Sequence, residues 1–215
     1  MLFKIVACCV LAVAASFAVE AATNAFLKKE RQSRVRRLAV LLCLNAAVWG
    51  ACLAVYFPDP LSGLLLCLGF DVLLCIALSD HDTQTIPNVF LLVLLALAVA
   101  YAALDKTCPW TMHVFGCGMG YLPLFLMRFF GEKIAKQETM GAGDVYLSGI
   151  LGLYLGLMNY LLCGIVTGIA ALIAIGILRR RKAYDPMHRY AFSPFFAFGY
   201  AVTVVCGGFL LGAWI

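Results

Sequence analysis

Apolar residues in this chain come in long runs, with neither the alternation of a half-buried strand nor a single polar stripe along each run. Such runs approach the about 20 residues needed to cross a bilayer as a helix. Eight segments follow one another: residues 2–22, 38–57, 61–79, 88–104, 110–130, 144–157, 160–178 and 192–215. Polar or conformationally restrictive residues separate them. Pro58-Asp59-Pro60 predicts a tight turn, because the residue before a proline avoids helix. A loop is expected over 80–87, with Pro87 suited to the first turn of the next helix, where a missing N–H costs nothing. Short turns are expected over 105–109 and at Asn159, and a longer polar loop over 131–143. Gly116, Gly118 and Gly120 make the fifth segment a candidate for close helix contact. The pattern predicts an all-α polytopic membrane protein, a bundle of about eight transmembrane helices.

Composition agrees. The chain of 215 residues is 64% hydrophobic and 13% charged, where a soluble domain carries about 25% charged residues. The length suits one compact bundle, with residues 1–60 supplying two N-terminal helices around a basic loop and 61–215 the core bundle. The first segment has the basic start of a secretory signal peptide, but its apolar part is long and a basic stretch follows at once. We expect it to be retained as a helix. Of the ten cysteines none has C-x-x-C spacing, and all but Cys108 lie in apolar runs, where a free thiol behaves as a small hydrophobe. Neither a structural metal nor any other cofactor is implied.

The net charge of +5 is confined to a few short loops, which argues against nucleic acid as a partner and for orientation and contact with anionic lipid. Fourteen of the sixteen Lys and Arg fall in the loops after the first, fifth and seventh segments, counting Arg128 at the very end of the fifth. Basic loops stay in the cytoplasm, so this alternation predicts both termini outside. It places the loop after the third segment, which holds Asp80 and Asp82, on the cytoplasmic face with residues 131–143.

Against that background the acids stand out, since an ionisable residue at an apolar run is a functional candidate. Met140-Gly141-Ala142-Gly143-Asp144 puts a carboxylate at the mouth of the sixth segment, and Asp80-His81-Asp82 lies at the end of the third. Taken singly, Asp144 fits a plain helix-start acid at the positive dipole end, and Asp80 or Asp82 fits a loop acid. Taken together on one face they fit a dyad. Two neighbouring carboxylates share a proton, so one draws a proton from water while the other polarises a carbonyl. Gly141 and Gly143 would allow unusual backbone dihedrals and close approach of a peptide. Asp71, deep in the third segment, reads as a structural acid, either protonated or hydrogen-bonded to a neighbouring helix. His81, His113 and His188 are scattered and read as loop or helix-end residues, and Tyr146 and Tyr154 as packing or site walls.

These residues carry a resemblance. Gly141-Ala142-Gly143-Asp144 reads as the G-x-G-D motif of intramembrane aspartyl proteases. Asp80 followed by Ile86-Pro87-Asn88 resembles the other half of the site in type IV prepilin peptidases. Phe192-Ser193-Pro194-Phe195-Phe196-Ala197-Phe198-Gly199 is similar to that family's late F-x-P-F-x-x-x-G element. The resemblance covers roughly residues 61–205. It implies a membrane aspartic endopeptidase with Asp80 and Asp144 catalytic and Gly141, Gly143, Pro87 and Asp82 shaping the site. The family's spacing to the proline selects Asp80 over Asp82, which would tune the pair or contact substrate. The implied reaction removes the leader from type IV prepilins or pilin-like secretion subunits (pseudopilins), at the cytoplasmic face of the inner membrane. Larger members carry two C-x-x-C pairs linked to N-methylation of the product. This chain has neither pair, so only the peptidase step is expected.

Two other readings are weighed. Presenilin-like proteases share G-x-G-D, but there a tyrosine precedes the other aspartate and the late element is Pro-Ala-Leu. Here Ser79 precedes Asp80, and the late element is Ser193-Pro194-Phe195. A small proton- or cation-coupled transporter would be supported by inverted repeats, and the two halves show no convincing similarity. Which prepilin is cut, and the oligomeric state, are not legible.

Overall fold

The computed structural model describes residues 18–19, 21, 43–52, 60–135, 140–181 and 191–211. Among these there is no strand. The helices are α1 (Cys43–Cys52), α2 (Pro60–Thr83), α3 (Asn88–Leu104), α4 (Trp110–Ala135), α5 (Ala142–Arg180) and α6 (Ser193–Leu211). Leu61–Thr83, Trp110–Ile134 and Ala142–Arg180 are long and apolar enough to cross a membrane, and Cys43–Cys52, Asn88–Leu104 and Ser193–Cys206 are shorter apolar helices. Large apolar side chains such as Phe115, Leu122, Met127 and Leu172 are exposed on the outside of the bundle, where lipid rather than water would meet them. The chain is an all-helical membrane protein. The expected count of eight spans is not reached on the described residues. The first predicted span and much of the second lie outside them, as do the basic stretches 28–37 and 182–189.

α5 is central, packing against α3, α4 and α6, while α2 packs against α3 and α6. It is two helices in one. Gly156 sits at φ 72, ψ 169, a region that a side chain makes costly. The chain doubles back there. Ser148 and Tyr160 would lie about 18 Å apart along a straight helix, yet their hydroxyls are 2.6 Å apart. The predicted sixth and seventh segments therefore form a hairpin whose break is Gly156, not Asn159. Polarity suggested Asn159, but the glycine supplies the required dihedral.

The first arm of the hairpin lies against α4 through small residues. A Cβ on Gly116 or Gly152 would strike the other's helix backbone, and one on Gly120 would strike the carbonyl of Ser148. Four-residue spacing on both helices gives the small-xxx-small contact that lets backbones touch. Gly118 has no neighbour within 4 Å and takes no part. The second arm packs on α6, where Gly199 meets Cys163 and Thr167. At the centre, Tyr154 stacks on Tyr101 at 5.4 Å and meets Tyr200 edge-on at 5.8 Å. The Tyr154 and Tyr200 hydroxyls donate to the Leu65 and Leu66 carbonyls of α2, at 2.6 and 3.0 Å. These bonds satisfy buried phenols and pin α2 to α5 and α6.

One end of the bundle is closed by a polar clasp. His113 is fully buried; its Nδ1–H donates to the Leu153 carbonyl at 2.8 Å, just before the kink, and its Nε2 faces Asp105 Oδ2 at 3.5 Å. The Thr107 N–H and hydroxyl donate to Asp105 Oδ1 at 2.8 and 2.6 Å. Burial pushes the Asp105 carboxyl up, but His113 and the Thr107 donors outweigh it and hold the group below the ordinary 3.8. The other end, where α2 finishes and α3, α5 and α6 begin, carries the acids singled out above.

Candidate active site

Asp80 is not in a loop. α2 continues to Thr83, so Asp80 lies in its last turns. The helix ends when Gln84 takes the left-handed conformation, φ 53, and its N–H bonds back to the Asp80 carbonyl at 2.8 Å, a common helix terminus. Thr83 adds a bond from its hydroxyl to the Ser79 carbonyl at 2.8 Å. The polar run Ser79–Thr83 suggested a loop, but these local bonds let it stay helical.

The Asp80 side chain is buried, only 6% of the residue being exposed. Its Oδ2 accepts two bonds from Ser193, one from the N–H at 3.2 Å and one from the hydroxyl at 2.5 Å. The start of α6 explains this. A helix N-terminus has N–H groups without intrahelical partners. Here the Phe192 carbonyl accepts from Phe195 and Phe196, at 3.1 and 3.4 Å. Pro194 has no N–H. That leaves the Ser193 N–H, and Asp80 caps it from another helix.

Asp144 lies in the first turn of α5. Its Oδ1 is buried and has no hydrogen-bond partner among the described residues. Asp80 is near enough to act on it electrostatically. Each carboxylate thus stands at a helix N-terminus, where the backbone dipole favours negative charge.

The glycines beside Asp144 serve space, not unusual dihedrals. Gly141, the N-cap, has φ −63 and ψ 139, open to any residue, and Gly143 does not have a positive φ either. A Cβ on Gly143 would lie 3.0 Å from the Ile86 Cβ and 3.1 Å from its Cδ1. A Cβ on Gly141 would lie 3.3 Å from Asp144 Oδ2. Gly143 is therefore where the turn after α2 seats on the start of α5, and this contact brings the two motifs together. Pro87 caps α3, its carbonyl accepting from Phe90 and Leu91 at 3.1 and 3.4 Å.

The remaining candidates divide. Asp82 is turned outward and pairs with His81 Nδ1 at 3.2 Å. Asp71 is buried and faces Asn45 and Trp49 of α1, but neither of its carboxyl oxygens has a hydrogen-bond partner among the described residues. Tyr154 is core, while Tyr146 lines a groove of about 490 Å³ with Asn88, Leu91 and Tyr121. Among the described residues no three His, Cys, Asp or Glu are grouped to hold a metal ion. His188 lies outside them. The part played by Ser193 is not legible in the sequence, because nothing in its spacing shows that it reaches Asp80, 113 positions earlier.

A sequence profile of the type IV leader peptidase family matches residues 64–178, more than half of the chain, including Asp80, the turn after it and Asp144. The chain belongs to the type IV leader peptidase family. Relatives within it include the prepilin leader peptidase/N-methyltransferase of Dickeya chrysanthemi, 32% identical over 157 residues, which are 72% of this chain and 53% of that protein. The protein of the same name from Pseudomonas putida is 32% identical over 139 residues, 63% of this chain and 47% of the relative. That of Escherichia coli K12 is 29% identical over 179 residues, 82% of this chain and 74% of the relative. The chain thus spans about half the length of the first two. No solved structure matches it.

Proposed function

We propose that this chain is a membrane aspartic endopeptidase that removes the leader peptide from type IV prepilins or pilin-like secretion subunits, with Asp80 and Asp144 as its catalytic pair. The observation that carries the reading is the junction of two distant segments. Ile86 seats on Gly143, so the helix end bearing Asp80 and the helix start bearing Asp144 lie side by side, within electrostatic reach. Membership of the leader peptidase family supports the same reaction.

In that reaction one carboxylate takes a proton from water as the water oxygen bonds to the scissile carbonyl carbon. The other carboxyl gives its proton to the carbonyl oxygen. The C–N bond then breaks and the nitrogen takes up a proton, leaving a carboxylic acid and an amine. Gly143 gives Ile86 its seat beside the dyad, and Gly141 keeps a side chain away from Asp144 Oδ2. Pro87 fixes the turn that carries Ile86, and Asp82 lies at the rim. The alternation of basic loops supports an active site on the cytoplasmic face of the inner membrane, with lipid around the bundle. Residues 61–215 form the core of the proposed enzyme and residues 1–60 its N-terminal helices. Methylation of the product is not part of the proposal, since the chain carries no C-x-x-C pair.

Co-expression with a prepilin tests this. The expected product, read by mass spectrometry, is shortened by the leader and begins just before its apolar helix. A prepilin that keeps its leader in the presence of folded, membrane-inserted enzyme would contradict the reading.

A further inference from the structure

We propose that Ser193 is a positioning residue for the peptidase reaction: it holds Asp80 through Oδ2, so that Oδ1 is the oxygen turned to the water. The inference rests on the reading of Asp80 as catalytic and goes beyond it by dividing the roles of the two acids.

The geometry is specific. Ser193 is fully buried, and both of its donors fall on the same carboxylate oxygen, the N–H at 3.2 Å and the hydroxyl at 2.5 Å. Two donors on one oxygen fix the rotation of the carboxylate as well as its place. They also occupy that oxygen as an acceptor, because a hydroxyl and an amide N–H that both donate to it leave it no need of a proton. The start of α6 is arranged to deliver them. Phe192 takes the N–H groups of Phe195 and Phe196, and Pro194 has none, so the Ser193 N–H is the free donor of the turn.

Asp144 has the complementary arrangement. Its Oδ1 is buried without a hydrogen-bond partner among the described residues. A buried oxygen with no donor aimed at it is best placed to carry a proton. The division that follows gives Asp80 Oδ1 as the base that takes a proton from water, and Asp144 as the acid that protonates the scissile carbonyl oxygen. When the C–N bond breaks, the proton on Asp80 passes to the leaving nitrogen, and Asp144 recovers one from the tetrahedral hydroxyl. Both acids return to their starting states.

Ser193 touches neither substrate nor water in this scheme, so its loss should slow chemistry without weakening binding. The test uses the full-length enzyme in lipid vesicles with a prepilin substrate, reading kcat and KM separately. Ser193→Ala keeps the N–H and loses the hydroxyl. A hydrogen bond to a charged group corresponds to a fall in kcat of about 10- to 100-fold, with KM unchanged. Ser193→Thr restores the hydroxyl and should recover most of the rate. Ser193→Cys keeps nearly the size of serine but offers only a weak donor, so it should fold like the parent and turn over slowly. This variant separates lost positioning from lost folding if the alanine variant is unstable. Wild-type kcat in the cysteine variant, or equal loss in the threonine and alanine variants, would overturn the inference. Asp80→Asn is run beside them. Full activity there would mean that the assignment of Asp80 itself is wrong, whereas an inactive Asp80→Asn with a fully active Ser193→Cys would remove only the role given to Ser193.

Discussion

At the scale of single residues, the site depends on atoms that are absent as much as on those present. Ile86 packs so close to Gly143 that a Cβ there would stand only 3.0 Å from the Ile86 Cβ. Gly143→Ala should push Ile86 by a few tenths of an ångström and, with it, the turn that follows Asp80. Misplacement of a reacting pair is costly even when small. The expected result is a fall in kcat/KM on the order of tenfold, with thermal stability nearly unchanged, measured on reconstituted enzyme with a prepilin. The two aspartates were legible in the sequence because a charge beside an apolar run is expensive and because three short motifs occur in order. Gly141 and Gly143 stood out in the sequence as part of a motif, but the packing of Ile86 against Gly143 did not. Dihedral freedom and room for a neighbour look alike until the neighbour is seen. Ser193 was not legible as a partner of Asp80, since the contact is made by two helix ends far apart in the chain.

At the scale of helices, boundaries are legible in the sequence where chemistry punctuates the chain at both ends, and less so where polar residues remain helical. The segment expected over 88–104 is α3, Asn88–Leu104, bounded by Pro87 and by Asp105, whose N–H bonds to Tyr101 O. α2 carries Asp80, His81 and Asp82 inside its last turns, and α4 runs on to Ala135, past the expected end at 130. The hairpin in α5 makes the sharpest case. Gly156 at φ 72 and ψ 169 occupies a region where a Cβ is strained, and the two arms it joins bring Ser148 to Tyr160. Its loss would disturb the clasp of His113 and Asp105 on one side and the seating of α5 against Gly116 on the other. Gly156→Ala should therefore cost ~1–3 kcal/mol of stability, read as a lower unfolding midpoint in detergent. An unchanged midpoint would show that the hairpin does not need this conformation.

At the scale of the whole molecule, the helices form a lipid-facing bundle whose two ends differ in what they hold. One end is closed by His113, Asp105 and the Gly156 turn. The other gathers the starts of α5 and α6 around the end of α2, so that two helix N-termini come together and the two carboxylates stand within electrostatic reach. The membrane class was plain from the apolar runs, because hydrocarbon requires them. The number of spans was not confirmed, as part of the chain lies outside the described residues. The central claim is that Asp80 and Asp144 act as one catalytic unit. The most direct measurement is single-turnover cleavage of a prepilin by the enzyme in lipid vesicles, comparing the parent with Asp80→Asn, Asp144→Asn and the double variant. If the two acids share each proton-transfer step, either single change removes cleavage as completely as both together, with each variant still folded and able to bind substrate. Cleavage at the parent rate by either single variant would contradict it.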